Sequence, residues 1–154
     1  MEALARRSRQ GGFTLIELLI VVAVIGIIAA VAIPNLIAAI QRSRQSRTMA
    51  DLRMISEGVE LYQNDHSFYP LLDNGTVADL GDHLRLYIRD YNELDGWSTP
   101  IDYDSDGRGY TLVSYGWDAV VDLPWTFGAT DSFDADIVFT NGNFLQWPEG
   151  PQQF

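Results

Sequence analysis

The chain has 154 residues, which suits one domain of ordinary size, and it carries a formal net charge of −11 at pH 7. This acidic balance argues against a nucleic-acid partner and favours cationic partners or divalent cations. The sequence contains no cysteine, which excludes a disulfide framework and thiol chemistry, so an exported domain would need another clamp.

Residues 13–33 form an apolar segment in which Glu17 is the single charged residue and Thr14 the single hydroxyl. As a helix rising ~1.5 Å per residue, the segment would be roughly 31 Å long, about one bilayer hydrocarbon core. A helix that is apolar on every side must lie in lipid or pack against copies of itself. The segment therefore predicts contact with membrane lipid, with other copies, or with both in turn.

The residues on either side of this segment are compatible with a cleaved signal peptide and with a retained membrane anchor. Three arginines at residues 6–9 form a cationic flank that stays cytoplasmic, and Ala30 and Ala32 supply a small-x-small site for a signal peptidase. Composition alone therefore favours a secretory signal peptide or a plain membrane anchor. Glu17 argues against both, because an acid costs ~2–3 kcal/mol near the bilayer centre and so indicates a specific role.

The motif GFTLIE at residues 12–17, followed by the apolar run and Pro34, closely resembles the N-terminus of the type IV pilin superfamily. That superfamily includes type IV pilins and the pseudopilins of type II secretion. The resemblance implies that a prepilin peptidase cleaves between Gly12 and Phe13 on the cytoplasmic side. It also implies that Phe13 is N-methylated and that the apolar run is retained.

The same resemblance gives Glu17 the position of the family's filament-assembly glutamate. Cleavage would leave Phe13 with a new α-amino group, which lies only a few residues from Glu17 within one helix. In a filament, a staggered neighbour would bring its own amine to Glu17 instead. Opposite charges attract strongly in a low-dielectric bundle, and either charge is costly to bury alone. We therefore predict that Glu17 sets the axial register between subunits.

The resemblance also divides the chain into four parts. Residues 1–12 would be a cleaved cytoplasmic leader, and residues 13–33 a transmembrane helix that becomes the filament core. Residues 34–64 would be the amphipathic half of the same helix, and residues 65–154 a C-terminal globular head with loops and β-hairpins. This is the α+β, lollipop-shaped fold of pilins, in which a small antiparallel sheet packs on the second half of the helix.

The pattern of residues 34–64 supports such a helix. Apolar residues recur there at three- and four-residue spacing, and charged residues occupy the other positions. Pro34 removes one backbone donor and crowds the preceding turn, so we expect a bend or local melting near it. The pattern predicts one helix from about Thr14 to about Asn64. Its apolar stripe consists of Met49, Leu52, Ile55, Val59 and Tyr62.

The head begins with weaker signals and continues with two clear hairpins. We expect a loop over residues 71–82 and a short helix or turn within residues 82–91. Alternation from Trp97 onward predicts a hairpin that turns at residues 104–109. A second hairpin is indicated by the dipeptide Asn-Gly at residues 141–142, which suits a type I′ turn. The end of the chain, residues 150–154, is expected to be a loose tail.

The stretch 95–118 resembles the C-terminal signature of the major pseudopilin, where Asp-Trp-Gly leads through a hairpin to Ser-x-Gly-x-Asp. An acidic loop that ends in Asp-Ile follows in that family, and this chain has Asp136 and Ile137 there. The chain departs from the pattern at Gly96, which intervenes before the tryptophan. It also departs at residues 119–132, which form a loop that is longer and more hydrophobic than the family's usual acidic loop. An ordinary type IV pilin therefore remains an alternative.

The resemblance to major pseudopilins implies a calcium site between the end of the hairpin and the acidic loop. By motif position its ligands are Asp118, Asp134 and Asp136, with Ser114 near enough to contribute. Clustered carboxylates repel each other until a hard cation joins them, and Ca²⁺ accepts six to eight oxygens in flexible geometry. The alternative is that these acids only keep a loop of an acidic protein solvated.

Little in the sequence indicates catalysis. His66 and His83 are isolated, and the chain has no zinc-protease motif, phosphate-binding glycine loop or nucleophile elbow. We therefore predict a structural subunit and not an enzyme. The aromatic residues near the end of the chain favour core or subunit contacts over a ligand face. Residues 123–128 are the part expected to form an exposed contact loop.

The predicted function is that of a major pseudopilin, whose filament drives protein export across the outer membrane. The expected partners are copies of the chain in a helical homopolymer, a prepilin peptidase, an inner-membrane assembly platform, minor pseudopilins, and lipid before assembly. No nucleic-acid partner is expected. The expected location is the bacterial inner membrane, with the head in the periplasm, and then a periplasmic or extracellular filament. The alternatives are a type IV pilus subunit for adhesion, twitching or DNA uptake, and a membrane-anchored binding module.

Overall fold

A computed structural model describes residues 12–153 of the chain. It confirms the predicted α+β class, with one long helix and one six-stranded sheet. In chain order, the elements are helix α1 (Leu15–His66), strand β1 (Leu72–Thr76), a 3-10 turn (Val77–Leu80), the short helix α2 (Gly81–Leu84), and strands β2 (Asp102–Ser105), β3 (Tyr110–Ser114), β4 (Gly128–Ser132), β5 (Ile137–Thr140) and β6 (Asn143–Gln153).

The chain divides into two compact units, one ending at Ile37 and the other beginning at Ala38. Helix α1 contributes to both. In the first unit its apolar side chains are exposed on every side, as the sequence predicts. The helix continues without a break through Pro34, so the local melting expected there is not seen. Proline removes a single backbone hydrogen bond, and the turns on either side remain bonded.

The core of the second unit lies between α1 and one face of the sheet. The predicted stripe of α1 is confirmed, because Leu52, Ile55 and Val59 are fully buried, Tyr62 is 8% exposed and Met49 packs against the core. The strands and the segment before them supply the rest of the core. Its remaining fully or nearly fully buried apolar members are Val77, Leu80, Leu84, Ile101, Tyr103, Tyr110, Leu112, Ile137 and Phe139.

The strands form one sheet in the order β1-β2-β3-β5-β6-β4. Neighbouring strands are antiparallel, except that β4 and β6 run parallel. The two outermost strands are irregular. The register shifts between Leu72 and Gly75 in β1, and between Thr130 and Ser132 in β4.

Both predicted hairpins are present, as β2–β3 and β5–β6. Asn141 and Gly142 join the second pair with φ angles of 47° and 82°, and a type I′ turn requires positive φ at both positions. In the first turn, Asp106 Oδ1 accepts the backbone N–H of Arg108 at 2.9 Å and of Gly109 at 3.1 Å. The carboxylate thus closes the turn that the acidic sequence predicts.

Two parts of the head differ from the sequence-based expectation of irregular structure. The expected loop over residues 71–82 contains β1 and the 3-10 turn, because β1 pairs along β2. Asn74 accommodates this strand with a positive φ of 49° and donates its backbone N–H to Asp104 Oδ1 at 3.1 Å. The short helix expected within residues 82–91 is α2, which begins one residue earlier, at Gly81.

The end of the chain also differs, because the expected tail continues strand β6 as far as Gln153. The Phe133 N–H donates to the Gln153 carbonyl at 3.0 Å, and β4 pairs with β6. Strand β4 itself lies entirely within residues 119–132, which the sequence suggests to be a loop. These pairings are long-range, and local sequence patterns do not reveal them.

Candidate functional site

The residues predicted for processing lie just before α1. Gly12 is exposed, and the Phe13 side chain is 82% exposed. The rest of the predicted leader, residues 1–11, lies outside the described residues. Among the residues that the structure describes, α1 alone is long and apolar enough to cross a membrane. Its most apolar 18-residue window has a mean hydropathy of 3.0, and none of that window is buried.

Glu17 forms a hydrogen-bonded cap with Thr14 at the start of α1. Glu17 Oε2 accepts the Thr14 backbone N–H at 2.8 Å and the Thr14 hydroxyl at 2.7 Å, and the Glu17 N–H donates to Thr14 Oγ1 at 3.3 Å. This capping box satisfies backbone donors that the first turn of a helix leaves open. Sequence reasoning missed it, although the Thr-x-x-Glu spacing signals it. Within residues 12–153 no cation forms an ion pair with Glu17.

Asp95 organises the first half of the pseudopilin-like signature. The residue is 4% exposed, and its Oδ1 accepts the backbone N–H groups of Trp97 and Thr99, each at 2.9 Å. Its Oδ2 accepts the hydroxyl of the fully buried Ser114 at 2.7 Å. Ser114, which the motif places beside the calcium ligands, is therefore bonded to Asp95 at the end of β3.

The same segment is fastened to helix α1 by polar contacts. The Gly96 N–H donates to Thr48 Oγ1 at 2.9 Å, and Trp97 Nε1 donates to Gln41 Oε1 at 2.6 Å. A Cβ atom at position 96 would lie 2.6 Å from the Arg44 carbonyl oxygen. The glycine that departs from the family pattern is thus the residue that lets the segment approach the helix backbone.

The carboxylates predicted as calcium ligands lie where the end of the β2–β3 hairpin crosses the acidic loop. The Trp117 N–H donates to the Phe133 carbonyl at 3.0 Å. A Cβ atom at Gly116, which has a φ of 64°, would lie 2.3 Å from the Asp134 carbonyl oxygen. Asp118 is exposed, and its Oδ1 accepts the N–H two residues further on at 3.0 Å. The two segments are therefore in direct contact beside these acids.

Asp136 is fully buried at this crossing. Its Oδ2 accepts the Asp122 backbone N–H at 3.0 Å and Trp125 Nε1 at 2.6 Å. Its Oδ1 is also buried and has no hydrogen-bond donor among the described residues. Burial raises the pKa of the Asp136 carboxyl above its ordinary value, and the charges of Asp122 and Asp118 raise it further. The buried oxygen without a donor therefore favours a proton or a cation.

Gln146 completes the attachment of the loop before β4. Its Nε2 donates to the Asp136 carbonyl at 2.9 Å, and its Oε1 accepts the Thr126 N–H at 3.2 Å. Sequence reasoning missed Gln146 and the role of Trp125, because both contacts join distant parts of the chain. Across residues 12–153, no group of three or more Asp, Glu or His side chains is arranged to hold a metal ion.

The chain is similar to known proteins both in its N-terminal segment and over most of its length. Residues 7–33 match the family described as the prokaryotic N-terminal methylation motif, which fits an exposed apolar helix with Glu17 in its first turn. Type II secretion system core protein G of Vibrio cholerae is 30% identical over 124 residues, covering 80% of this chain and 84% of that protein. The protein of the same name from Dickeya chrysanthemi is 28% identical, over 88% of this chain and 88% of that protein. The one from Pseudomonas aeruginosa is also 28% identical, over 86% of this chain and 96% of that protein. The chain belongs to the core protein G family, the major pseudopilins of type II secretion.

This membership agrees with a structural role. Proteins of the family are pseudopilin subunits, which is consistent with a chain that is not an enzyme. The apolar part of α1 and the relatives together fit a membrane-anchored subunit. The comparison with solved structures found no match.

Proposed function

We propose that this chain is the main structural subunit of a type II secretion pseudopilus, and that its assembly drives protein export across the outer membrane. A prepilin peptidase removes residues 1–12, and the trimmed subunit waits in the inner membrane with its head in the periplasm. It then polymerises with copies of itself on an inner-membrane assembly platform, beside minor pseudopilins.

The observation that carries this proposal is the exposed apolar surface of α1 in the first unit. Large side chains there are mostly more than half exposed, as for Ile20 at 58% and Ile27 at 69%. Fully burying one such side chain contributes about 1.5–3 kcal/mol, so the whole surface strongly favours lipid or other copies. Lipid contact suits the subunit before assembly, and a bundle of copies suits the filament.

Glu17 would set the register of that bundle by pairing with the α-amino group of Phe13 in a neighbouring subunit. The Thr14 contacts suggest how to isolate the charge. In Glu17→Gln, an amide oxygen still accepts the Thr14 bonds, so helix capping is retained while the negative charge is lost. In the control Thr14→Val, the hydroxyl is lost while the charge remains.

The test expresses both variants in a host with a prepilin peptidase, and reads processing by N-terminal sequencing and assembly by electron microscopy of sheared filaments. Wild type, Glu17→Gln and Thr14→Val should all begin at Phe13. Wild type and Thr14→Val should form filaments, whereas Glu17→Gln should not. Normal filaments from Glu17→Gln would refute the register role. A wild-type product that begins at Met1 or after Ala32 would refute the pseudopilin function itself.

We also propose that the head binds Ca²⁺ at the acidic crossing. Asp136 Oδ1 would be the buried ligand. Asp118 and Asp134 would have to move toward it, because no three such side chains among residues 12–153 are already arranged around a metal position. The support is the buried oxygen without a donor, together with the repulsion among the neighbouring carboxylates. Ser114 is the least suited of the four expected ligands, because its hydroxyl already donates to Asp95.

This calcium proposal is tested by thermal melting of the full-length protein in detergent, with calcium and with chelator. Calcium should raise the melting temperature of the wild type and of the control Asp131→Asn, which removes an exposed acid elsewhere in the head. It should not raise the melting temperature of Asp136→Asn. A wild-type melting temperature that is the same with calcium and with chelator rejects the site.

A further inference from the structure

The loop between β3 and β4 borders a cavity on the outer face of the sheet. The cavity measures about 310 Å³, which lies at the lower end of the range for small-ligand sites. Its floor is formed by residues of β2 and β3, including Thr111 and Val113. Leu123 and Trp125 of the loop form a wall, so the unusually long and hydrophobic loop of this chain creates the cavity.

Two aromatic side chains in the lining are held in place by hydrogen bonds. Trp125 Nε1 donates to the buried Asp136 at 2.6 Å, and the Tyr115 hydroxyl donates to the Asp102 carboxylate. Leu123 remains 67% exposed beside them. An aromatic pocket that is fixed before a ligand arrives loses little side-chain entropy on binding.

Two carboxylates complete the lining, Asp102 and Asp104 of β2. They are two residues apart, so they lie on the same face of the strand, separated by about 6.5–7 Å along it. Asp104 accepts the Asn74 N–H, and Asp102 accepts the Tyr115 hydroxyl. Neither forms an ion pair with any residue in the part of the chain that the structure describes. The cavity therefore combines aromatic walls with negative charge that no cation of the described residues neutralises.

This combination favours an organic cation over a metal ion. Ca²⁺ takes six to eight oxygen ligands, and the two carboxylates of this lining supply at most four. A guanidinium group instead spreads its donors in a planar fork that accepts carboxylates, and it stacks on aromatic rings. An aliphatic side chain next to that guanidinium in the ligand would contact the exposed Leu123.

We propose that this cavity binds an arginine side chain presented by another polypeptide. The guanidinium pairs with Asp102 and Asp104 and packs against Tyr115 and Trp125. This ligand site goes beyond filament assembly and does not depend on it, because every residue that forms it belongs to the head.

The proposal is tested with the full-length protein in detergent and a fluorescein-labelled peptide, acetyl-Gly-Arg-Leu-Gly-amide, by fluorescence anisotropy. The matched probe replaces arginine with citrulline, which keeps the shape and removes the charge. The arginine peptide should bind saturably, and the citrulline peptide about tenfold more weakly or worse. Raising the salt concentration should weaken binding of the arginine peptide alone.

Two variants connect the binding to the cavity. Asp104→Asn removes one charge from an exposed strand position and should weaken binding of the arginine peptide about tenfold. Asp90→Asn removes an exposed charge outside the cavity and should leave binding unchanged, and circular dichroism should show both variants folded. The proposal is overturned if the arginine peptide does not bind saturably, if the citrulline peptide binds equally well, or if the two variants weaken binding equally. The citrulline comparison uses wild-type protein, so it decides the question even if a variant misfolds.

Discussion

Replacing Asp95 with alanine should destabilise the head more than any surface substitution. The change removes one carboxylate that accepts three hydrogen bonds, from the backbone of Trp97 and Thr99 and from the buried hydroxyl of Ser114. A hydrogen bond to a charged group contributes about 1.5–3 kcal/mol, and a buried donor left without an acceptor costs a similar amount. Because the three bonds share one group and are not additive, we expect a loss of about 3–4 kcal/mol.

Two further substitutions separate the carboxylate's contacts. Asp95→Asn keeps an oxygen for the two backbone donors, and the Ser114 hydroxyl can turn to accept from the new amide. It should cost only about 1–2 kcal/mol. Ser114→Ala removes a single bond and should also cost about 1–2 kcal/mol. In the double variant with Asp95→Ala, Ser114→Ala should lower the free energy of unfolding by much less than it does alone, because the Asp95 carboxylate that accepts the Ser114 hydroxyl is already missing.

The assay is urea unfolding of the full-length protein in detergent, followed by near-ultraviolet circular dichroism, with Asp90→Ala as the control at an exposed acid. A loss below about 1 kcal/mol for Asp95→Ala would contradict the structural role of this residue. An equal loss of stability in Asp95→Asn and Asp95→Ala would also contradict this role. It would show that the backbone donors do not depend on an acceptor at position 95.

Three more predictions concern the crossing beside the acidic loop. Gly116→Ala should lower the free energy of unfolding in urea by about 2–4 kcal/mol, because it adds both positive-φ strain and a Cβ clash. The control Gly150→Ala, where φ is positive but no atom lies within 4 Å of the added Cβ, should lower it by only about 1 kcal/mol, and equal losses would contradict the clash. Trp125→Phe should lower stability by about 1.5–3 kcal/mol through the lost indole bond to Asp136, and an unchanged midpoint would show that this bond does not hold the loop. The raised pKa of Asp136 means that its protonated form suits the fold, so its stabilising effect is complete below the ordinary Asp pKa of 3.8 and is lost as the pH rises through the folded-state value. With chelator present, wild type should therefore gain stability relative to Asp136→Asn between pH 7 and pH 4, and a constant difference would refute the assignment.

The sequence reveals the parts of this fold that depend on local patterns. The stripe of α1 follows from helical spacing, and the second hairpin follows from Asn141 and Gly142, whose left-handed conformations few other residue pairs accept. The parallel pairing of β4 with β6 depends instead on contacts between distant segments. Neither strand has an alternating pattern strong enough to show it, so β4 reads as loop and the end of β6 as a tail.

The candidate site shows the same division. The GFTLIE motif is contiguous, so Gly12, Phe13 and Glu17 are predicted as site residues directly from their order in the chain. The acidic loop is different, because the partners of Asp136 come from Asp122 and Trp125 in a loop that departs from the family pattern. A motif read from relatives with another loop cannot show which side chain reaches the buried carboxylate.

The irregular outer strands β1 and β4 affect how subunits meet when they are crowded. A regular edge strand offers a row of free N–H and C=O groups to which a neighbouring molecule can add its own strand, which leads to aggregation. The register shifts in β1 and β4 interrupt that row, and Asp73 and Asp131 place charges on the same edges. Two heads that lie side by side are thereby discouraged from joining through the edges of their sheets.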